Sequence, residues 1–259
     1  MTSPLLTVAL SGLAAVLFAL TLLWMLSLRL RDASIIDSFW GPGFALATLV
    51  YYLVDGSRAP RGTLVLILVT AWAARLGYHL HRRNRRLGED PRYVAMREKY
   101  GERWERVSLF RVFWLQGAIL WVVSAPLLAA VLGGPALSAL DFAGAAIFLV
   151  GLALESLADH QLTRFRADPA NKGRVLESGL WRYSRHPNYF GDAVVWWGLY
   201  AVAAGAGAYW TIFAPVIMTF LLLEVSGVPL LEKSLGRSRP GYAEYVRRTS
   251  AFVPWPPKK

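Results

Sequence analysis

Leu5 to Leu28 reads LLTVALSGLAAVLFALTLLWMLSL, 24 residues without one charged side chain. A helix needs about 20 apolar residues to cross the hydrocarbon core, whereas the core of a cleaved signal peptide uses about 7 to 15 behind a basic start. Met1 to Pro4 carries no side-chain charge, so the stretch predicts a retained transmembrane helix. Six further stretches have the same character: Ser38 to Val54, Thr63 to His81, Val112 to Leu132, Leu140 to Thr163, Phe190 to Ala206 and Tyr209 to Leu231. The expected fold is all-α, an integral membrane bundle of seven transmembrane helices forming one membrane domain over residues 1–259, with no internal repeat.

Composition agrees. The chain is 55% hydrophobic and only 17% charged, where a soluble domain carries about 25% charged residues; its mean hydropathy is +0.38. With no cysteine there is no disulfide or thiolate metal site, and the four histidines have no ligand spacing, so no metal is expected. The net charge of +11 raises nucleic acid as a partner, but its distribution argues otherwise. Of 28 basic residues, Arg29 and Arg31 follow helix 1, ten lie from Arg82 to Arg111, six from Arg164 to Arg185 and seven from Lys233 onward. All 25 fall on one face of the seven-span arrangement, and the opposite loops hold only Arg58 and Arg61. Short cytoplasmic loops are enriched in Lys and Arg, so the amino terminus is expected outside and the carboxyl terminus in the cytoplasm. No nucleic acid and no protein partner are expected, only membrane lipids. The 23 Arg against 5 Lys fit a GC-rich bacterium and hence its inner membrane.

Ionisable residues inside spans are costly and are functional candidates by default. Asp37, Arg75, Glu155, Asp159, Asp192 and Glu224 meet this test. Glu155 and Asp159, four apart, share one helical face; they either pair with Arg75, Arg182 or Arg185, or line a polar pocket that accepts hydrogen bonds from a ligand. Asp37 is either a helix N-cap or a buried acid. Asp90 to Arg106 has helical spacing and reads either as a helix lying at the membrane interface or as a solvated connecting helix. Ser178 to Asp192 is too polar for a plain connector: Tyr183, Arg185, His186, Asn188, Tyr189 and Asp192 crowd a helix opened by Pro187. Helix starts favour anions such as phosphate, though anionic lipid heads would suit the same charges.

Gly179-Leu180-Trp181-Arg182-Tyr183-Ser184-Arg185-His186-Pro187-Asn188-Tyr189-Phe190-Gly191-Asp192, with the tail Gly241 to Thr249, resembles the steroid 5-alpha-reductase family. A shorter part, Arg185-His186-Pro187-x-Tyr189-x-Gly191 with the Tyr-x-x-Tyr tail, is similar to isoprenylcysteine carboxyl and phospholipid methyltransferases, which use S-adenosylmethionine. The reductase resemblance implies NADPH-dependent reduction of a 3-oxo-delta-4 steroid or a similar flat lipid, in a cavity open to the bilayer. It further implies cofactor contacts at Glu155, Asp159, Arg166, Arg174, Asn188, Asp192 and Trp196, together with Tyr183, Arg185, His186 and Tyr189 at the helix mouth. Glu155 stands where the family often has Asn, and Asp192 where it has Glu. Glu232, Lys233, Tyr242 and Tyr245 either close over the adenosine end or, with Trp255, anchor the tail at the membrane interface. Residues 1–110 become the substrate side and 111–259 the cofactor side. The family pairs a helix 2 Glu with a helix 3 Tyr as proton donor; Asp37 is the match to the first. For the second, helix 3 offers Ala71 or Trp72 at the aligned place and Tyr78 further down, so Tyr78 is the candidate. Trp40, Tyr52 and Trp72 are expected to line the substrate chamber. Gly41-Pro42-Gly43 has no preceding strand and is discounted as a dinucleotide fingerprint.

Overall fold

The computed structural model describes residues 4–84, 88–134, 136–225 and 241–258. Every regular element among them is helical, the form that satisfies each backbone group inside lipid without a partner strand. Five helical runs are long and apolar enough to cross a membrane: Pro4–Leu30, Ala33–Asp55, Pro60–Asn84, Pro91–Val123 and Ala139–Ala167. The protein is therefore an integral membrane protein. The two other expected spans correspond to the helix Pro187–Gly205 and to the helical residues Tyr209–Val225, which are shorter or more polar than those five. The chain divides into two compact units, residues 1–141 with 202–211, and residues 142–201 with 212–259.

In the first unit, α1 (Pro4–Leu30) packs on α2 (Trp40–Asp55), which packs on α3 (Pro60–Asn84). Gly56 ends α2 at φ 69°, the left-handed conformation that glycine adopts without a Cβ clash, and Pro60 opens α3 four residues later. Small residues set how closely these helices approach. A Cβ on Gly41 would sit 3.1 Å from the Ala73 Cα, and one on Gly77 would sit 3.3 Å from the Pro42 ring. Gly41 and Pro42 thus form a packing seam for α3, while Gly43 faces Leu120. The Tyr51 ring fills the notch over Gly12, and its hydroxyl bonds the Ser124 Oγ at 2.7 Å.

The helix expected from Asp90 to Arg106 forms as α4 (Pro91–Tyr100), capped by the Asp90 side chain, and α5 (Trp104–Ser108). A π-helical turn then leads into α6 (Leu115–Val123) and α7 (Ala125–Leu132). The break at Ser124 follows from Pro126, which has no N–H to continue the ladder. At the other end of the unit, the guanidinium of Arg61, 2% exposed, is saturated. Its Nε reaches Asp141 Oδ1 at 2.7 Å, its Nη2 reaches Asp141 Oδ2 at 3.0 Å and Gly205 O at 3.1 Å, and the carbonyls of Gly133 and Ala136 accept the remaining donors. Arg61, expected in an exposed loop, is instead a buried latch.

The second unit is organised by α8 (Ala139–Ala167) and α9 (Pro187–Gly205). Gly144 and Gly151 on α8 meet Gly198 and Gly191 on α9, both pairs seven residues apart in sequence. A Cβ on Gly191 would lie 2.5 Å from the Glu155 amide nitrogen, and one on Gly198 would lie 2.5 Å from that of Phe148. Only glycine permits this antiparallel backbone contact, the membrane use of small residues at helix crossings. α10 (Phe213–Phe220) and the tail helix α11 (Tyr242–Arg248) complete the described part of this unit.

Candidate active site

The close α8–α9 crossing puts the acidic face of α8 against the polar start of α9. Asp159, 5% exposed, accepts a hydrogen bond from Asn188 Nδ2 at 3.0 Å. Glu155, 3% exposed, lies one turn away on the same face. Asn188, Asp192 and Trp196 follow at four-residue intervals, one stripe of α9. Asn188 Oδ1 is buried and has no hydrogen-bond partner among the described residues. Leaving a buried acceptor unmet costs about 1 to 3 kcal/mol, so this oxygen is suited to an N–H donor that a ligand brings.

The connection between the helices is held in place along its length. α8 ends at Ala167, as the Asp168-Pro169 turn requires, and Asp168 caps the short turn that follows. An open cleft of about 560 Å³ is lined by Phe165, Asn171, Arg174 and Glu177. Arg166 and Arg174 are exposed beside this bend. Gly179, at φ 61°, lies flat on the Gln161 amide, which accepts from Leu180 N at 3.0 Å, and the Trp181 indole bonds Ala158 O at 3.1 Å.

The carboxyl tail is stitched to the motif. Arg185 N donates to Ser250 O at 2.8 Å, and its Nη1 to Thr249 O at 2.7 Å and Val246 O at 3.1 Å, a cation closing the end of α11. The Tyr245 hydroxyl donates to Trp181 O at 2.5 Å, and Tyr183 O accepts from Trp255 N at 2.9 Å. Arg185, Tyr183 and Tyr245, proposed from sequence as cofactor contacts, all fasten the tail here. His186 is buried and stacks on Tyr189 at 5.6 Å. Glu232 and Lys233 lie outside the described residues.

In the first unit, Asp37 lies in a 3-10 turn, Ala33–Phe39, ahead of α2. It is not a helix cap: Asp32 caps that turn, and the cap position of α2 is Phe39. Its Oδ1 accepts from the Tyr93 hydroxyl at 3.1 Å, and its Oδ2 is 3.5 Å from Arg92 Nη2. Gln116 Nε2 reaches the same phenol oxygen at 3.4 Å, and Gln116 Oε1 accepts from the Trp40 indole at 2.7 Å. An indole N–H can only donate, so it fixes the Gln116 amide with its N–H2 end toward the phenol oxygen, while the phenol proton is given to Asp37.

The tyrosine partner of Asp37 is therefore Tyr93, not Tyr78. Tyr78 is 63% exposed and its hydroxyl takes a bond from Arg82. The family resemblance pointed to Tyr78 because the family's tyrosine is on that helix, whereas the phenol bonded to Asp37 here is on α4. Two signals were available: Tyr93 sits in the first turn of a helix with Asp90 and Pro91 as start marks, and Gln116 is the lone amide in its apolar stretch. Of the proposed substrate residues, Trp40 is tied to Gln116, Tyr52 bonds the Thr63 hydroxyl at 3.0 Å, and Trp72 is 1% exposed against Phe44.

The pattern of a family described as a protein of unknown function, DUF1295, matches residues 23–249. The chain belongs to the DUF1295 family. The chain is 29% identical to the uncharacterized protein C594.04c of Schizosaccharomyces pombe, over 90% of this chain and 75% of that protein. The chain is also 32% identical to 3-oxo-5-alpha-steroid 4-dehydrogenase 1 of Bos taurus, over 31% of this chain and 30% of the bovine protein. No solved structure matches it with significance. This DUF1295 member thus carries a weak, partial likeness to a steroid dehydrogenase.

Proposed function

We propose that this protein reduces the delta-4 double bond of a 3-oxo steroid, or of a similar flat lipophilic enone, with NADPH, and that it spans a bacterial inner membrane seven times with its carboxyl terminus in the cytoplasm. The observation that carries this reading is the Asp37–Tyr93 pair: an acid joined to a phenol is what a developing enolate needs, and transfer of a methyl group does not call for one. The partial likeness to the bovine dehydrogenase points the same way.

The residues present fit a dinucleotide. Asn188 Oδ1 offers a buried acceptor for the N–H of a carboxamide, while Asp159 holds the Asn188 side chain in that orientation. Glu155 and Asp192 flank it on the facing helices, and Arg166 and Arg174 supply guanidinium forks for phosphates beside the cleft. Bound NADPH supplies the hydride for the beta carbon of the enone. Tyr93 donates its proton to the carbonyl oxygen, and Gln116, aimed by Trp40, keeps the phenol oxygen from turning away. Asp37 returns the proton to Tyr93.

Purified protein in detergent should bleach NADPH only when a delta-4 3-oxo steroid or related enone is added. Methyl transfer from S-adenosylmethionine without such bleaching would overturn the reading in favour of the methyltransferases. Tyr93→Phe should lower kcat by about 100-fold or more with unchanged NADPH affinity, while Tyr78→Phe should leave both as they are.

A further inference from the structure

Asp37 has two oxygens and two different neighbours. Oδ1 faces the phenol of Tyr93, and Oδ2 faces the guanidinium of Arg92. Arg92 is itself held by Asp90, its Nε and Nη2 forking onto Asp90 Oδ1 and Oδ2 at 2.9 and 3.0 Å, so that Nη2 is shared between the two carboxylates. The fork is anchored to the turn that carries Asp37. Asp90 N donates to Ser34 Oγ at 2.6 Å, and Glu89 Oε1 accepts both Ala33 N at 2.8 Å and Arg97 Nη2 at 2.7 Å. Side-chain exposure falls from 41% at Arg92 through 31% at Asp90 to 24% at Asp37, so the Arg92 end of the cluster is the more open to water. The charged and titratable groups facing Asp37 are Arg92, Tyr93, Asp90 and, from α3, Arg83.

We propose that Asp90 and Arg92 are positioning residues for proton uptake: they hold the Asp37 carboxyl between an inner exit at Tyr93 and an outer entrance open to water. This rests on the reductase reading. The Tyr93 O–H bond breaks as its proton joins the substrate oxygen, the Asp37 O–H bond breaks to restore the phenol, and a proton from water restores Asp37. The enol then exchanges its O–H proton for one on the alpha carbon, so each turnover adds one hydride and one proton. Between the second and third steps Asp37 is an anion, and Arg92 stabilises it. Asp90 limits that help by engaging the fork of Arg92, leaving one long 3.5 Å contact to Asp37 instead of a close ion pair that would keep the carboxyl ionised.

The two partners therefore act in opposite senses, which a merely structural clamp would not do. The test is kcat against pH for the full-length protein in detergent, with NADPH and a delta-4 3-oxo steroid. Asp90→Asn releases Arg92 onto Asp37, and kcat should begin to fall at a pH lower by roughly half a unit or more. Arg92→Gln should move that fall to higher pH by a similar amount, with a lower maximal kcat and an unchanged dissociation constant for NADPH. Arg92→Lys keeps the charge and should return the profile most of the way to wild type, which also guards against a misfolded Gln variant. Shifts in the same direction, or lower kcat with unmoved profiles, overturn the assignment alone. Wild-type protein that consumes NADPH with no enone overturns the reductase reading and this assignment with it.

Discussion

Two buried polar clusters stand at opposite extremes of satisfaction. In the first unit Arg61 and Asp141 spend every strong donor and acceptor on each other, on Ser138 and on backbone carbonyls. In the second, Asp159 fixes one end of the Asn188 amide and its other end, Oδ1, is left buried without a partner among the described residues. Both clusters cost desolvation; the first recovers it at every strong donor and acceptor, whereas the second leaves Asn188 Oδ1 unmet among the described residues. A closed network is a latch, and an open one is shaped for something that arrives later.

The comparison can be broken by substitution. The largest effect is expected at the latch: Arg61→Ala strands a buried carboxylate and should cost about 3 to 5 kcal/mol, read as lost thermal stability in detergent, with NADPH affinity unchanged in whatever fraction remains folded. Gly191→Ala comes next, because its methyl would meet the Glu155 backbone, which cannot swing aside. The α8–α9 crossing must open, for about 1 to 3 kcal/mol of stability, and NADPH affinity should fall with it. Asn188→Ala should do the reverse of Arg61→Ala, weakening NADPH by roughly tenfold, about 1.4 kcal/mol, in isothermal titration while thermal stability barely moves. Equal effects of Arg61→Ala and Asn188→Ala on stability would erase the distinction between latch and open site.

The smallest effect concerns the exposed clamp. Burial disfavours the Asp90 carboxylate, but the side-chain and backbone bonds of Arg92 outweigh that and hold its pKa below the usual aspartate range. Since the folded value is depressed, its contribution to stability is present above the unfolded value and is lost as pH falls through the folded one. Asp90→Asn should therefore flatten, slightly, the loss of thermal stability on acidification below about pH 4, and an unchanged slope would show that the fork contributes nothing to folding.

Much of this was legible from residue order. Helical spans follow from runs of apolar residues and their ends from Pro, Gly and Asp, all of which act within a turn or two of the chain. The end of α8 at Ala167 and the start of α9 at Pro187 are read that way, and so is the shared face of Glu155 and Asp159. Where charge sits between spans is local too. Partners across helices are another matter. Asp37 meets Tyr93 across 56 positions and Arg61 meets Asp141 across 80; nothing in local spacing marks either pair.

Sequence by itself determined that this chain is helical, membrane-spanning, strongly basic between its spans and furnished with a polar motif at the mouth of α9. Tertiary structure alone decided that Arg185 and Tyr245 hold the tail, that Arg61 is buried, and that α4 supplies the phenol beside Asp37. Hydrophobic runs and helix propensity are set by neighbours along the chain, whereas which side chains meet depends on how closely two helices cross. Here that closeness was set by glycines whose missing side chains carry no chemical signal of their own.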